Sequence, residues 1–169
     1  MKGTFKITLD YLKELGACSD GQREFQKAFP NGGGYQEVLN RCAEEGRLDF
    51  ADWLFAHIGP TDDFLVYDEA LNTPDKNIIF AGRIEFKLSA KARYIRSGCG
   101  IEAGEVIKAG EGIKAGWGIE AGEVIKAGGG YGIFAGQAVE VCNWDISAVV
   151  TAKTRPENLI SGFWKERDE

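Results

Sequence analysis

Apolar positions in the second half of the chain recur every six residues, at Ile101, Ile107, Ile113, Ile119 and Ile125. Each opens the phrase Ile-(Glu/Lys)-Ala-Gly, with degenerate copies at Ile95-Arg96-Ser97-Gly98 and Ile133-Phe134-Ala135-Gly136. The eleven residues GIEAGEVIKAG stand at Gly100–Gly110 and again at Gly118–Gly128, an offset of 18 or three hexads. In a strand, Ile and Ala two apart share one side while the Glu or Lys between them points to the other. Gly is expected at corners, where positive φ or close packing excludes a larger residue. Three short sides per 18 residues close a triangular coil, and such coils stack at roughly 4.8 Å, each hydrogen-bonded to the next.

The first half has helical spacing instead. Phe5-Lys6-Ile7 reads as a short strand and Thr8 as an N-cap, with Leu9, Leu12 and Leu15 on one face and Gly16 at the end. Ser19 and Gln22 have capping-box spacing ahead of Phe25, Ala28 and Phe29, and Pro30 ends that helix. Asn31–Gly34 is expected to be a loop; Val38, Leu39 and Cys42 mark a third helix ending at Gly46, and Asp49 caps a fourth through Trp53 and His57. Leu71-Asn72-Thr73-Pro74-Asp75 reads as the joint. Residues 1–72 are therefore expected to form a helical domain, with helix inside 8–70. Residues 73–169 are expected to form a three-sided β-solenoid, most regular over about 78–152. Ile146, Ala148 and Val150 alternate as a strand, and Pro156 is expected to open a last helix burying Leu159, Ile160, Phe163 and Trp164. That helix would cap the far end or form a homodimer contact. The fold class is α+β.

Composition narrows the function. Of 23 glycines in 169 residues, 13 fall between Gly98 and Gly136, without the Ser and Pro of a flexible linker. The net charge of −6 lies entirely in residues 1–77; the remainder is balanced. An acidic total argues against direct nucleic-acid binding, and no apolar run is long enough to cross a membrane. The lysine-bearing start meets Asp10 before an apolar run develops, which argues against a secretory signal and leads us to expect a cytoplasmic protein. Cys18, Cys42 and His57, the only histidine, lie 24 and 15 residues apart, which fits no zinc pattern. With one imidazole and no G-x-S-x-G turn, neither an enzyme nor a cofactor is expected.

The run Ile95–Gly136 resembles the hexapeptide β-solenoids, and its IEAG/IKAG wording is similar to the repeats of polymer-forming, bactofilin-like proteins. Alanine stands two after the isoleucine, whereas the usual hexapeptide has a small residue two before it. The front, from Tyr11-Leu12 through Gly16-Ala17-Cys18 to Phe25 and Phe29-Pro30, resembles a short module of small prophage-encoded proteins. The first resemblance implies a structural, self-assembling protein or an acyltransferase; the second implies no active site. The acyltransferase reading is the weakest, since the solenoid lacks a histidine and a long loop.

The repeat also places charge. Glu102 is expected beneath Glu120, Glu105 beneath Glu123, and Glu140 above Glu120, an acidic ladder on a rigid support. Lys108 stacks with Lys126, and Arg96 with Lys114. Lys87, Lys91, Arg93 and Arg96, with Lys114, make a competing basic patch. A solvated face copied by duplication explains such ladders equally well. The reading favoured from the sequence is a non-catalytic, anti-CRISPR-like inhibitor. Its acidic ladder would engage a protein or nucleoprotein target of the host.

Overall fold

The computed structural model describes residues 5–168. Four helices come first: α1 (Leu9–Glu14), α2 (Ser19–Ala28), α3 (Tyr35–Glu45) and α4 (Leu48–His57). The Thr8 hydroxyl accepts from the Tyr11 N–H at 3.2 Å, and Gly16 and Gly46 follow α1 and α3 with left-handed φ of 82° and 68°. Two caps differ from the expected ones. The Cys18 thiol, not Ser19, accepts from the Gly21 N–H (3.4 Å). Arg47, not Asp49, precedes α4, and Asp49 sits in its first turn paired with Arg47 at 3.2 Å. The expected loop at Asn31–Gly34 is half strand, because Gly33–Gly34 pairs antiparallel with Lys6–Ile7.

A parallel β-solenoid of about six turns follows. It begins at Phe64, ahead of the expected joint. Its first side stacks six strands: Phe64–Tyr67, Arg83–Phe86, Ile101–Ala103, Ile119–Ala121, Val149–Ala152 and Phe163–Glu166. The strands Leu71–Phe80 and Ala90–Ser97 each run through both the second and third sides. Later coils split that course into Val106–Ala109 and Val124–Lys126 on the second side. Ile113–Ala115, Ile133–Phe134 and Leu159–Ser161 continue the third. Asn72–Pro74 is thus strand, not a turn; the irregularity between Thr73 and Asn77 takes up Pro74, which has no N–H to give a ladder.

Register follows the repeat. Ile84, Ile101, Ile119 and Val150 form one inward column and Ile95, Ile113 and Ile133 another, all essentially inaccessible to solvent. Burying each such side chain contributes on the order of 1.5–3 kcal/mol. Ser97, polar and inward, is satisfied: its hydroxyl donates to the Gly82 carbonyl (2.6 Å) and accepts from the Cys99 N–H (3.2 Å). At two corners glycine serves close packing rather than backbone handedness. Gly116 and Gly122 have ordinary φ, and a Cβ on either would overlap the carbonyl of Gly98 or Gly104 in the coil below.

The last coil departs from the sequence reading. After Phe134 the chain makes a 3-10 turn (Val141–Asn143) and a short helix, α5 (Trp144–Ser147), before rejoining the first side. Ile146 is therefore exposed, and the strand here is Val149–Ala152. Among the described residues no helix follows Pro156: Leu159–Ser161 and Phe163–Glu166 are strands. Their helical-looking spacing gives way to backbone pairing with the previous coil, as in Ile133 N–H to Asn158 O (3.0 Å) and Phe163 N–H to Ala148 O (2.9 Å).

The helices meet the solenoid at its third side. Ile79, Ala81 and Tyr94 join the helical core of Leu39, Leu54 and Phe55. Gln36 of α3 lies along the unpaired edge of the first coil. Its amide donates to the Ile79 carbonyl (2.8 Å) and accepts from the Ala81 N–H (2.8 Å), standing in for a missing strand. The helical half thus covers the first coil on one side only.

Candidate binding site

Each outer side carries its own charge pattern, because every residue between two inward ones must point to solvent. On the first side the outward column reads Val66, Glu85, Glu102, Glu120, Thr151 and Lys165. Glu102 and Glu120 do stack, and Glu123 stacks on Glu105 through Glu123 N–H to Glu105 O (2.7 Å). Glu140 is not in the ladder. Thr151 takes the place above Glu120, because the chain spends Val139–Ala148 on the excursion through α5, and Glu140 precedes the 3-10 turn. Glu85, which the sequence reading missed, extends the column downward, where its Ile-Glu-Phe wording departs from the repeat.

These carboxylates are partnered. Arg83 pairs with Glu102 at 3.0 Å, Arg167 with Glu120 at 2.8 Å, Lys153 with Glu123 at 3.5 Å, and Lys87 with Glu85. The Ser89 hydroxyl donates to Glu105 at 2.7 Å. Such exposed pairs add at most about 1 kcal/mol each, yet they set a cation beside Glu85, Glu102, Glu120 and Glu123, leaving Glu105 with a hydroxyl alone.

The second side is the opposite case. Lys91, Lys108 and Lys126 occupy one outward column in three consecutive coils, beside the outward pair Val106 and Val124. All three are exposed, and none has an ion-pair partner among the described residues. Stacked like charges repel by an amount on the order of 1 kcal/mol at this spacing, with nothing on the second side to offset it. The expected basic patch does not hold together. Lys87 is tied to Glu85, Arg93 stands at a corner, and Arg96 and Lys114 belong to the third side.

On the third side α4 covers those two cations. Asp52 lies 3.5 Å from Arg96 Nε and 2.8 Å from Lys114 Nζ. The Arg96 guanidinium lies over the Phe55 ring, 4.4 Å from its centroid. Of the residues expected at an oligomer contact, Leu159 and Trp164 pack on the solenoid core, whereas Ile160 and Phe163 are exposed.

Of the three groups weighed as zinc ligands, Cys18 and Cys42 line one cavity of the helical module and His57 lies outside it. Cys18 caps α2; Cys42 is buried, which pushes its thiol up to about 11. His57 stacks on Trp53 with ring centroids 4.0 Å apart, and its Nδ1 donates to the Trp53 carbonyl at 2.8 Å. Three cavities stand out: about 320 Å³ within the helical module, about 870 Å³ between α3 and the first coil, and about 230 Å³ where α4 meets the third side.

Residues 1–58 match the family model of the YdhT N-terminal domain. The match ends just after α4, so the helical half is similar to a recognised domain and the solenoid lies outside it. No curated protein and no solved structure matches the chain. Among the described residues, no helix is long and apolar enough to cross a membrane.

Proposed function

We propose that the chain is a non-catalytic binding protein that acts by occupying an acidic surface of a protein partner, with the second side of the solenoid as its contact face. One observation carries the reading. Glu102, Glu120 and Glu123 are matched by Arg83, Arg167 and Lys153, while Lys91, Lys108 and Lys126 have no counter-charge among the described residues and sit on a rigid, regular support. Occupying a partner's surface is how an inhibitor of a host protein works. A form in which Glu102 and Glu120 imitate phosphates in a nucleic-acid channel needs those carboxylates free, and for that reason ranks behind the lysine face.

Charge reversal separates the two. Capture of partners from bacterial lysate should be lost with Lys108→Glu/Lys126→Glu and kept with Glu102→Lys/Glu120→Lys, and raised salt should imitate the first variant. The reverse outcome would move the site to the acidic ladder.

A second reading, self-assembly of the solenoid, is favoured by the last coil. The outer edges of Leu159–Ser161 and Phe163–Glu166 end their sheets without a covering element among the described residues, and Ile160 and Phe163 beside them are exposed. Light scattering over a concentration series that shows growing particles would favour it over a monomeric binder.

A further inference from the structure

The cavity between α4 and the third side takes no part in the proposed contact face. Asp52, Phe55, Ala56 and Pro60 form its helical wall, while Arg96, Lys114 and Gln137 contribute from the solenoid. Its volume of about 230 Å³ suits a small molecule rather than a peptide. Two cations face one carboxylate there. The nearby hydroxyls of Tyr35 and Tyr94 add no charge, since burial pushes both well above the usual tyrosine range.

Arg96 is the unusual group. It is 6% exposed, and its Nε–H has no hydrogen-bond acceptor among the described residues. Asp52 lies 3.5 Å away but does not accept from it; the carboxylate leans to Lys114 at 2.8 Å. Nη1 donates to the Ser97 carbonyl at 3.2 Å, and Phe55 takes one face of the guanidinium. A buried donor left without an acceptor costs about 1–3 kcal/mol, more for a charged group. An anion beside Arg96 and Lys114 would remove that cost and bring the cluster to neutrality.

We infer that this cavity is a binding site for a small organic carboxylate, held by Arg96 and Lys114, with its apolar body against Phe55, Ala56 and Pro60. Carboxylate is the class because a planar two-oxygen group matches the guanidinium edge, and because the walls on the helical side are apolar. The site exists only where the helical module and the solenoid meet. Its occupancy would therefore clamp the two together.

The full chain can be titrated with benzoate, using the isosteric neutral benzamide as control. Calorimetry and the 15N–1H resonance of the Arg96 side-chain Nε–H report binding. Benzoate is expected to bind and to move that resonance downfield as the orphan donor gains an acceptor, and benzamide to do neither. Lys114→Gln should weaken benzoate at least about tenfold, the scale of one lost charge-assisted bond. Arg96→Gln should abolish binding; if that variant does not fold, Lys114→Gln and the wild-type resonance still decide. Equal binding of benzamide, an unmoved Arg96 resonance, or unchanged affinity in Lys114→Gln would overturn the assignment.

Discussion

Gly110 and Gly122 both follow an alanine in the repeat, yet only one has room for a methyl group. A Cβ on Gly110 would find the Arg93 carbonyl at 3.9 Å, ordinary contact, whereas one on Gly122 would overlap the carbonyl of Gly104. Gly110→Ala should therefore change stability by less than about 0.5 kcal/mol. Gly122→Ala should cost about 1–3 kcal/mol, the scale of overpacking. Urea denaturation of the pair checks the contrast, and equal stabilities would show that the coils can separate locally. Cys42 makes a second statement at this scale. Burial holds its folded thiol near 11, above the ordinary value of 9.0, so between those values the folded chain keeps a proton that the unfolded chain has released. The contribution is fully present below pH 9 and disappears as pH rises to about 11. Tyr35 and Tyr94 act with the same sign at higher pH. The slope of stability against pH between 9 and 11 should be shallower in Cys42→Ala, and an identical slope would remove Cys42 from the account.

At the scale of elements, Gln36 joins the two halves. It satisfies a carbonyl and an N–H on the open edge of Leu71–Phe80 that no strand covers. Gln36→Leu keeps the side chain's bulk and leaves both backbone groups without a partner, each at about 1–3 kcal/mol. A loss of about 2 kcal/mol or more in urea unfolding is expected; a change below about 0.5 kcal/mol would mean that water replaces the amide. No feature of the sequence announces this contact, because a glutamine on a helix reads as solvated surface until the edge beside it is known. The helices themselves were legible from Thr8, Gly16 and Gly46, where one residue decides a terminus locally. The last coil was not. Leu159, Ile160, Phe163 and Trp164 fit helical spacing, and only the unpaired edge left by Val149–Ala152 and Ile133–Phe134 makes them strands. Pro74 misled in the same way, since a turn residue sits comfortably on an irregularity in a strand.

At the scale of the molecule, identity of residues across coils made the solenoid legible, and it made Glu102 over Glu120 and Arg96 over Lys114 legible with it. Where identity stopped, at the excursion through α5, Glu140 was misplaced. Salt-bridge partners such as Arg83 and Arg167 lie outside the repeated phrase, so the neutralised acidic face and the bare lysine face could not be told apart from the repeat. The same quasi-one-dimensional order makes a further expectation. Each coil contacts only its neighbours, so a solenoid should accept a whole extra coil more readily than a fraction of one. A second copy of Ile101–Gly118 inserted after Gly118 restores Ile over Ile and Glu over Glu at every junction, and leaves Asp52, Arg96 and Lys114 in place. It should lengthen the stack by roughly 4.8 Å. It should also extend the lysine column by one residue and hold the melting temperature within about 4 °C of the parent, the shift that a change on the order of 1 kcal/mol produces in a chain of this length. Insertion of half that segment, nine residues or one and a half sides, would instead place corner residues over the middle of the sides, turning the Ile and Ala columns out of register. That variant should unfold well below the parent or not fold at all. Thermal melts with small-angle scattering read both effects. If the two insertions melt alike, stability does not reside in the coil-to-coil register, and the helical module carries the fold.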